Sequence, residues 1–161
     1  MRRILFATVV ALVLVPALAF ADSNVGYRGW GPRLGVTSNP DQIHFGLHMD
    51  FGNFAEHVRF QPNFELGIGD GLTLAALNFE SAYRFSSSSA WSPYLGGGLG
   101  VNMWGSENRG LRDHTDTDLG VNLLGGVEKS LSDGDRFFTE AKFGLDDAPD
   151  FKLTMGWTFF R

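Results

Sequence analysis

Few residues in this sequence have both the type and the spacing to do chemistry. His44 and His48 share one face of an alternating segment. At roughly 3.3 Å per residue they lie about 13 Å apart, too far to hold one metal ion, so each reads as a hydrogen-bonded structural group. His57 stands beside a turn and reads as interfacial. Asp113, His114, Asp116 and Asp118 are the one dense group of potential ligands. Their oxygens could surround calcium, but the spacing fits no defined calcium loop, and a solvated loop is the plainer reading. Cleavage of a lipid ester would need a serine with a histidine base and an orienting acid. Apart from Ser81 and Ser106 the serines fall in turns. Ser81 lies on an apolar strand face, with no histidine in register. The sequence therefore assigns no catalytic, cofactor-binding or metal-ligating residue and no cofactor, and the chain reads as a non-enzyme.

The remaining chemistry is electrostatic. Arg59, Arg84, Lys142 and Lys152 stand with Glu65, Glu80, Glu128 and Glu140, four cations and four anions, in segments that otherwise alternate with apolar residues. Their meaning depends on the elements that carry them.

Those elements are strands. Phe151, Leu153, Met155, Trp157 and Phe159 alternate with Lys152, Thr154, Gly156 and Thr158. Period two is the mark of a strand with two unlike faces. The same alternation runs through Trp30–Thr37, Gln42–Phe51, His57–Ile68, Leu72–Phe85, Pro93–Trp104, Thr117–Glu128 and Arg136–Leu145. Asp22–Gly29 reads as a polar lead-in. Short polar connections join the strands, with one longer exception at Gly105–Asp116. The expected fold is all-β, an eight-stranded antiparallel up-and-down barrel. The last strand should pair with the first, because an unpaired apolar edge is a liability. Pro62 falls mid-strand and cannot donate to the ladder, which predicts a bulge or local opening there.

The apolar phase should face outward. It carries no charge in strands two to eight and holds ten phenylalanines, at 45, 51, 60, 64, 79, 85, 137, 143, 151 and 159. An eight-stranded barrel is too narrow to contain them. Nine glycines lie instead in the polar phase, at 46, 67, 96, 98, 100, 120, 126, 144 and 156. Glycine beside long charged side chains suits a crowded lumen, and a buried charge must be paired. The solvent outside is then lipid, which only helices and closed barrels can span. A soluble lipocalin-like barrel, with the apolar phase inside, is the alternative. Trp91, Tyr94, Tyr83, Phe85, Phe51, Phe54, Phe137, Trp157, Phe159 and Phe160 gather towards the end bearing the termini as an aromatic girdle.

Targeting and charge agree with this. Met1-Arg2-Arg3, the apolar run Ile4–Phe20 and Ala19-Phe20-Ala21 have the form of a signal peptide, residues 1–21, ahead of a barrel over 22–161. The formal net charge of −5, with no basic run, disfavours nucleic acid as a partner. There is no cysteine, so the fold must be held by its own packing or by its solvent.

Two stretches carry a family resemblance: Tyr94-Leu-Gly-Gly-Gly-Leu-Gly-Val-Asn102 and the closing Gly156-Trp-Thr-Phe-Phe160. With the eight alternating strands, they make the chain resemble the small outer-membrane β-barrels of Gram-negative bacteria, of the OmpA transmembrane-domain and OmpX type, and generic porin-family barrels. The resemblance spans Gly29–Arg161. It implies localisation in the bacterial outer membrane, membrane lipid as surroundings, and recognition of the C-terminal strand by the barrel-assembly machinery. Arg161 after the final aromatic departs from the pattern. So do short outer connections at Ser38–Asp41, Gly69–Gly71 and Asp146–Asp150, which leave Gly105–Asp116 as the one loop with room for a surface partner.

The function expected is that of a monomeric structural barrel contributing to envelope integrity or surface contact, with a lipid A-modifying enzyme as the alternative. Inside, Arg84 is expected to pair with Glu80 or with the fifth strand. Glu140 is expected to separate Lys142 from Lys152, with Glu128 across on strand six.

Overall fold

The computed structural model describes residues 24–106, 115–145 and 148–161. Residues 1–21, read above as a signal peptide, and most of the longest connection, 107–114 with Asp113 and His114, lie outside them. The strands are β1 (Asn24–Ser38), β2 (Gln42–Ala55), β3 (Val58–Phe60), β4 (Asn63–Gly69), β5 (Leu72–Arg84), β6 (Ser92–Ser106), β7 (Thr115–Ser130), β8 (Arg136–Gly144) and β9 (Phe151–Phe160). β3 and β4 are halves of one barrel strand, so the count around the wall is eight. Neighbours pair antiparallel in chain order, and β9 closes on β1 from Gly29↔Phe160 to Ser38↔Phe151.

The break in the third wall strand falls at Gln61–Pro62, where the sequence placed it. Register to β5 is kept across it, from Arg59↔Ala82 to Asn63↔Asn78. Register to β2 slips instead, from His48↔Asn63 to Asn53↔Arg59. The extra residue therefore belongs to β2, near Gly52, whose φ of 74° suits glycine. The ladder is carried past the proline by Met49 N–H donating to Pro62 O at 3.0 Å and Gln61 N–H to Glu80 O at 2.9 Å.

Several expected boundaries move. The lead-in is mostly strand, because β1 begins at Asn24. Gly52–Ala55 extends β2. His57 does not open a strand: it is a turn residue with φ of 61°. Gly105 pairs with Thr115 and Trp104 with Asp116, so the long connection is trimmed from both ends. Where strands lengthen, ladder pairing with a neighbour overrides weak local alternation.

The two faces are inverted relative to a water-soluble barrel. Ile43, Phe45, Leu47 and Met49 are each about half exposed, as are Leu123, Phe143 and Leu153, while Glu65, Glu80, Glu128, Glu140, Arg59, Lys142 and Lys152 are all buried. None of the ten outward phenylalanines is buried. The lipocalin-like alternative, which needs the opposite arrangement, is excluded. The girdle forms at the terminus-bearing end through edge contacts such as Trp30–Phe159, Tyr83–Phe85 and Trp91–Phe137. Tyr94 is the exception. It is 3% exposed and inside, because β6 directs it to the same side as Gly96, Gly98 and Gly100.

At the opposite end Val121 departs from the alternation. It is buried where the chain leaving β8 bends back and Leu145 N–H donates to its carbonyl at 2.9 Å. Ala148 and Pro149 are tucked in there, and a Cβ on Gly120 would come within 2.7 Å of Ala148 Cβ.

The luminal glycines make room for large neighbours. A Cβ on Gly156 would lie 2.6 Å from Phe138 Cζ, and Phe138, fully buried, stacks edge-on against His48 at 5.3 Å. Gly156→Ala is expected to destabilise the barrel by about 1–3 kcal/mol through overpacking. Urea unfolding in a fixed detergent measures it, and Phe138→Leu in the same chain should restore part of the loss.

Candidate functional site: the ionic core of the barrel

The centre of the lumen is built by two groups of strands, β9, β1 and β8 on one side and β4 and β5 on the other, that do not pair with each other in the wall. Arg33 on β1 reaches Glu140 on β8 at 2.8 Å, Glu65 on β4 at 3.2 Å and Glu80 on β5 at 3.6 Å. Lys142 on β8 lies 2.5 Å from Glu80, 3.1 Å from Glu65 and 4.0 Å from Glu140. Lys152 on β9 meets Glu65 at 2.8 Å. Three cations thus face three carboxylates, all nearly excluded from solvent. Charges so buried persist only when they are paired, and here each has a partner: Arg33, Lys142 and Glu65 have several, and Lys152 has Glu65.

Towards the terminus-bearing end a second group forms. Glu128 on β7 takes Arg59, Arg84 at 3.2 Å and Arg136 at 3.7 Å. Arg136 also binds Asp50, which accepts from Gly52 N–H at 2.8 Å. Tyr94 joins the two groups. Its hydroxyl donates to Glu140 at 3.1 Å, and the Arg59 guanidinium lies over its ring at 4.3 Å. Neutral contacts fill the rest. His44 bonds Thr37 at 2.8 Å and Thr154 at 2.9 Å, and His48 bonds Thr158 at 2.9 Å. Asn78 donates to Asn63 at 2.9 Å, and Asn63 to Glu80 at 2.6 Å.

All four expected acids and three of the four expected cations are buried in the lumen, with Arg84 half exposed at its mouth. The pairings differ. Lys142 and Lys152 do stand directly opposite one another. The acid between them is Glu65, from across the barrel, and Glu140 serves Arg33 and Tyr94. Arg84 pairs with Glu128, not Glu80. Arg33, Asp50 and Arg136 were missed as members, although each lies in the polar phase of its strand. His44 is bonded by threonines at both ring nitrogens, whereas His48 is bonded by Thr158 at Nε2 and its buried Nδ1 has no hydrogen-bond partner among the described residues. Asp116 and Asp118 sit on β7 opposite Trp104 and Asn102, so they are not loop residues. Ser81 has Phe60 and Gly97 as cross-strand partners.

No family model matches this sequence, and no curated protein matches it. Solved structures do. The chain is similar to Neisserial surface protein A, with 15% identity and a TM-score of 0.66, covering 82% of this chain and 94% of that one. It is similar to the N-terminal β-barrel domain of Pseudomonas aeruginosa OprF, with 12% identity and a TM-score of 0.63 over 85% and 98%. A third similarity is to the Yersinia pestis outer membrane protein Ail, with 11% identity and a TM-score of 0.51 over 83% and 99%. The fold is that of the small outer-membrane β-barrels. In an outer-membrane barrel the exposed apolar belt is the lipid-facing wall. The ionic core is then an internal brace, linking β1, β4, β5, β8 and β9 through side chains where the wall links only neighbours.

Proposed function

We propose that this chain is a monomeric structural protein of the bacterial outer membrane, contributing to envelope integrity or surface contact, without catalysis. The observation that carries this reading is the filled lumen. At the level of Arg59, Glu80 and Glu140 the side chains leave no volume for a water molecule, so the barrel is braced rather than open. Ser81, on the outer wall, has no histidine beside it in the ladder, which disfavours a lipid-cleaving triad. Surrounding lipid and, during assembly, the barrel-assembly machinery acting on Phe151–Phe160 are the partners proposed. A surface partner would engage the 107–114 connection.

Two measurements test this. Purified barrel in planar bilayers is expected to give no discrete conductance steps, and steady single-channel currents would overturn the sealed-brace reading. Lipid A from cells with and without the protein is expected to give the same mass spectrum. A change in acylation would establish the enzyme instead.

A further inference from the structure

The outward wall is not convex everywhere. At the end opposite the termini an open groove of about 590 Å³ crosses four neighbouring strands. Its floor is Phe151 on β9, Val36 on β1, Ile43 on β2 and Ile68 on β4. Val36 stands opposite Ile43 in the ladder, and Ile43 opposite Ile68, so the floor is one continuous row. These three side chains are each more than half exposed. The volume falls within the roughly 300–1,000 Å³ of small-molecule sites, and the surface is almost all apolar.

The turn between β1 and β2 forms the lip. A Cβ on Gly69 would lie 2.1 Å from the Asp41 carbonyl oxygen, so the turn settles this close to β4 only because residue 69 is glycine. Asp41 N–H donates to Asp70 Oδ2 at 2.9 Å, and Asn39 donates to Asp150 Oδ2 at 2.6 Å. The lip is thereby tied to the β4–β5 turn and to the connection before β9.

The charge on that lip has one sign. Asp41, Asp70 and Asp150 are exposed, and none has a cationic partner among the described residues. The nearest cation in the chain, Lys152, turns into the lumen and engages Glu65 at 2.8 Å. Asp146 and Asp147 add two more acids to the same connection in the sequence. Arg109 and Arg112 are matched in sequence by Glu107 and Asp113, and their connection joins β6 to β7, neither of which borders the groove.

We propose that this groove holds one acyl chain of a membrane lipid whose headgroup ends in an ammonium group, with the ammonium against Asp41. The site rests on the outer-membrane placement proposed above and gives the surrounding lipid a particular position. A hydrocarbon chain covers the exposed row, and an ammonium supplies the cation that the lip lacks. An anionic head without an ammonium would meet three carboxylates.

The test uses the full folded chain in uncharged alkyl-maltoside micelles, with methyl NMR of Val36, Ile43 and Ile68 as the readout. Phosphatidylethanolamine is added, and phosphatidylglycerol with the same acyl chains is the comparison. Saturable shifts at these residues are expected with phosphatidylethanolamine, in the presence of a chelator, at about fivefold lower mole fraction than with phosphatidylglycerol. Asp41→Asn should erase most of that preference. Ile43→Trp, read at Val36 and Ile68, should weaken both lipids about tenfold by filling the floor. Asp116→Asn, exposed on β7 away from the groove, should change neither. Circular dichroism should confirm that all three variants keep the barrel. The proposal is overturned by equal binding of the two lipids, by a requirement for added calcium, by an unchanged preference in Asp41→Asn, by an equal loss in Asp116→Asn, or by a basic amphipathic peptide that takes the groove at lower concentration than the lipid. Detergent-chain contacts at Leu123, on the far wall, report on the membrane placement separately. Their presence without a lipid preference at the groove overturns this site alone, and their absence overturns both.

Discussion

Glu65→Gln is expected to be the most damaging single change in the lumen, at about 3–5 kcal/mol. One Glu65 oxygen serves Lys142 at 3.1 Å and Arg33 at 3.2 Å, and the other serves Lys152 at 2.8 Å. Lys142 and Lys152 are opposed in register, so the carboxylate also screens two like charges from each other. Glutamine keeps the shape and removes the charge. Lys152 would then lose its one carboxylate partner among the described residues, while Lys142 retains Glu80 at 2.5 Å. Glu140→Gln should cost less, about 1–3 kcal/mol, because Arg33 keeps Glu65 and Glu80. Glu56→Gln, whose side chain is 89% exposed, should change nothing measurable. Urea midpoints in one detergent rank the three. Adding Lys152→Met to Glu65→Gln should recover part of the loss, since removing both members of a buried pair is far milder than removing one. Equal midpoints for Glu65→Gln and Glu56→Gln would refute the brace.

Leu123→Arg should cost about 2–4 kcal/mol in a bilayer and impair insertion. Leu123 is 49% exposed, sits mid-strand on β7, and is flanked in the ladder by Gly97 and Phe143, which is itself 52% exposed. Arginine there would hold its charge against hydrocarbon with no partner. Leu119→Arg makes the depth control. Leu119 is still more exposed at 71%, but it lies four residues nearer the strand end, and the cost near an interface falls to roughly 0–1 kcal/mol. Reversible unfolding in lipid vesicles measures both. If the two variants lose the same stability, or Leu123→Arg loses none, the exposed belt is not a lipid-facing wall.

The sequence by itself determined the strands and their two faces. Side-chain direction along a strand is strictly alternating, so charge-free Phe151, Leu153 and Met155 had to share a side opposite Lys152 and Thr154. It also determined closure, because β9 has the same outward apolar face as β1 and no other free edge to meet. Even the break at Pro62 followed from one missing N–H. The lengths of β1 and β2 were less legible, since Asn24–Gly29 and Gly52–Ala55 alternate weakly and are held by ladder bonds to neighbours.

Only the tertiary structure decided which charges meet. Pairing across a lumen depends on barrel radius, on strand stagger and on how far each side chain reaches, and none of these is local. Glu65 therefore separates Lys142 from Lys152 from the far wall, in the place that chain proximity suggested for Glu140. Arg84 reaches Glu128 on β7, a strand not adjacent to its own. Arg33, Asp50 and Arg136 each stood in the right phase, but phase says only that a residue points inward. Partners and charge balance emerge when the eight strands close at one diameter, which is why the paired core became visible only in the closed barrel.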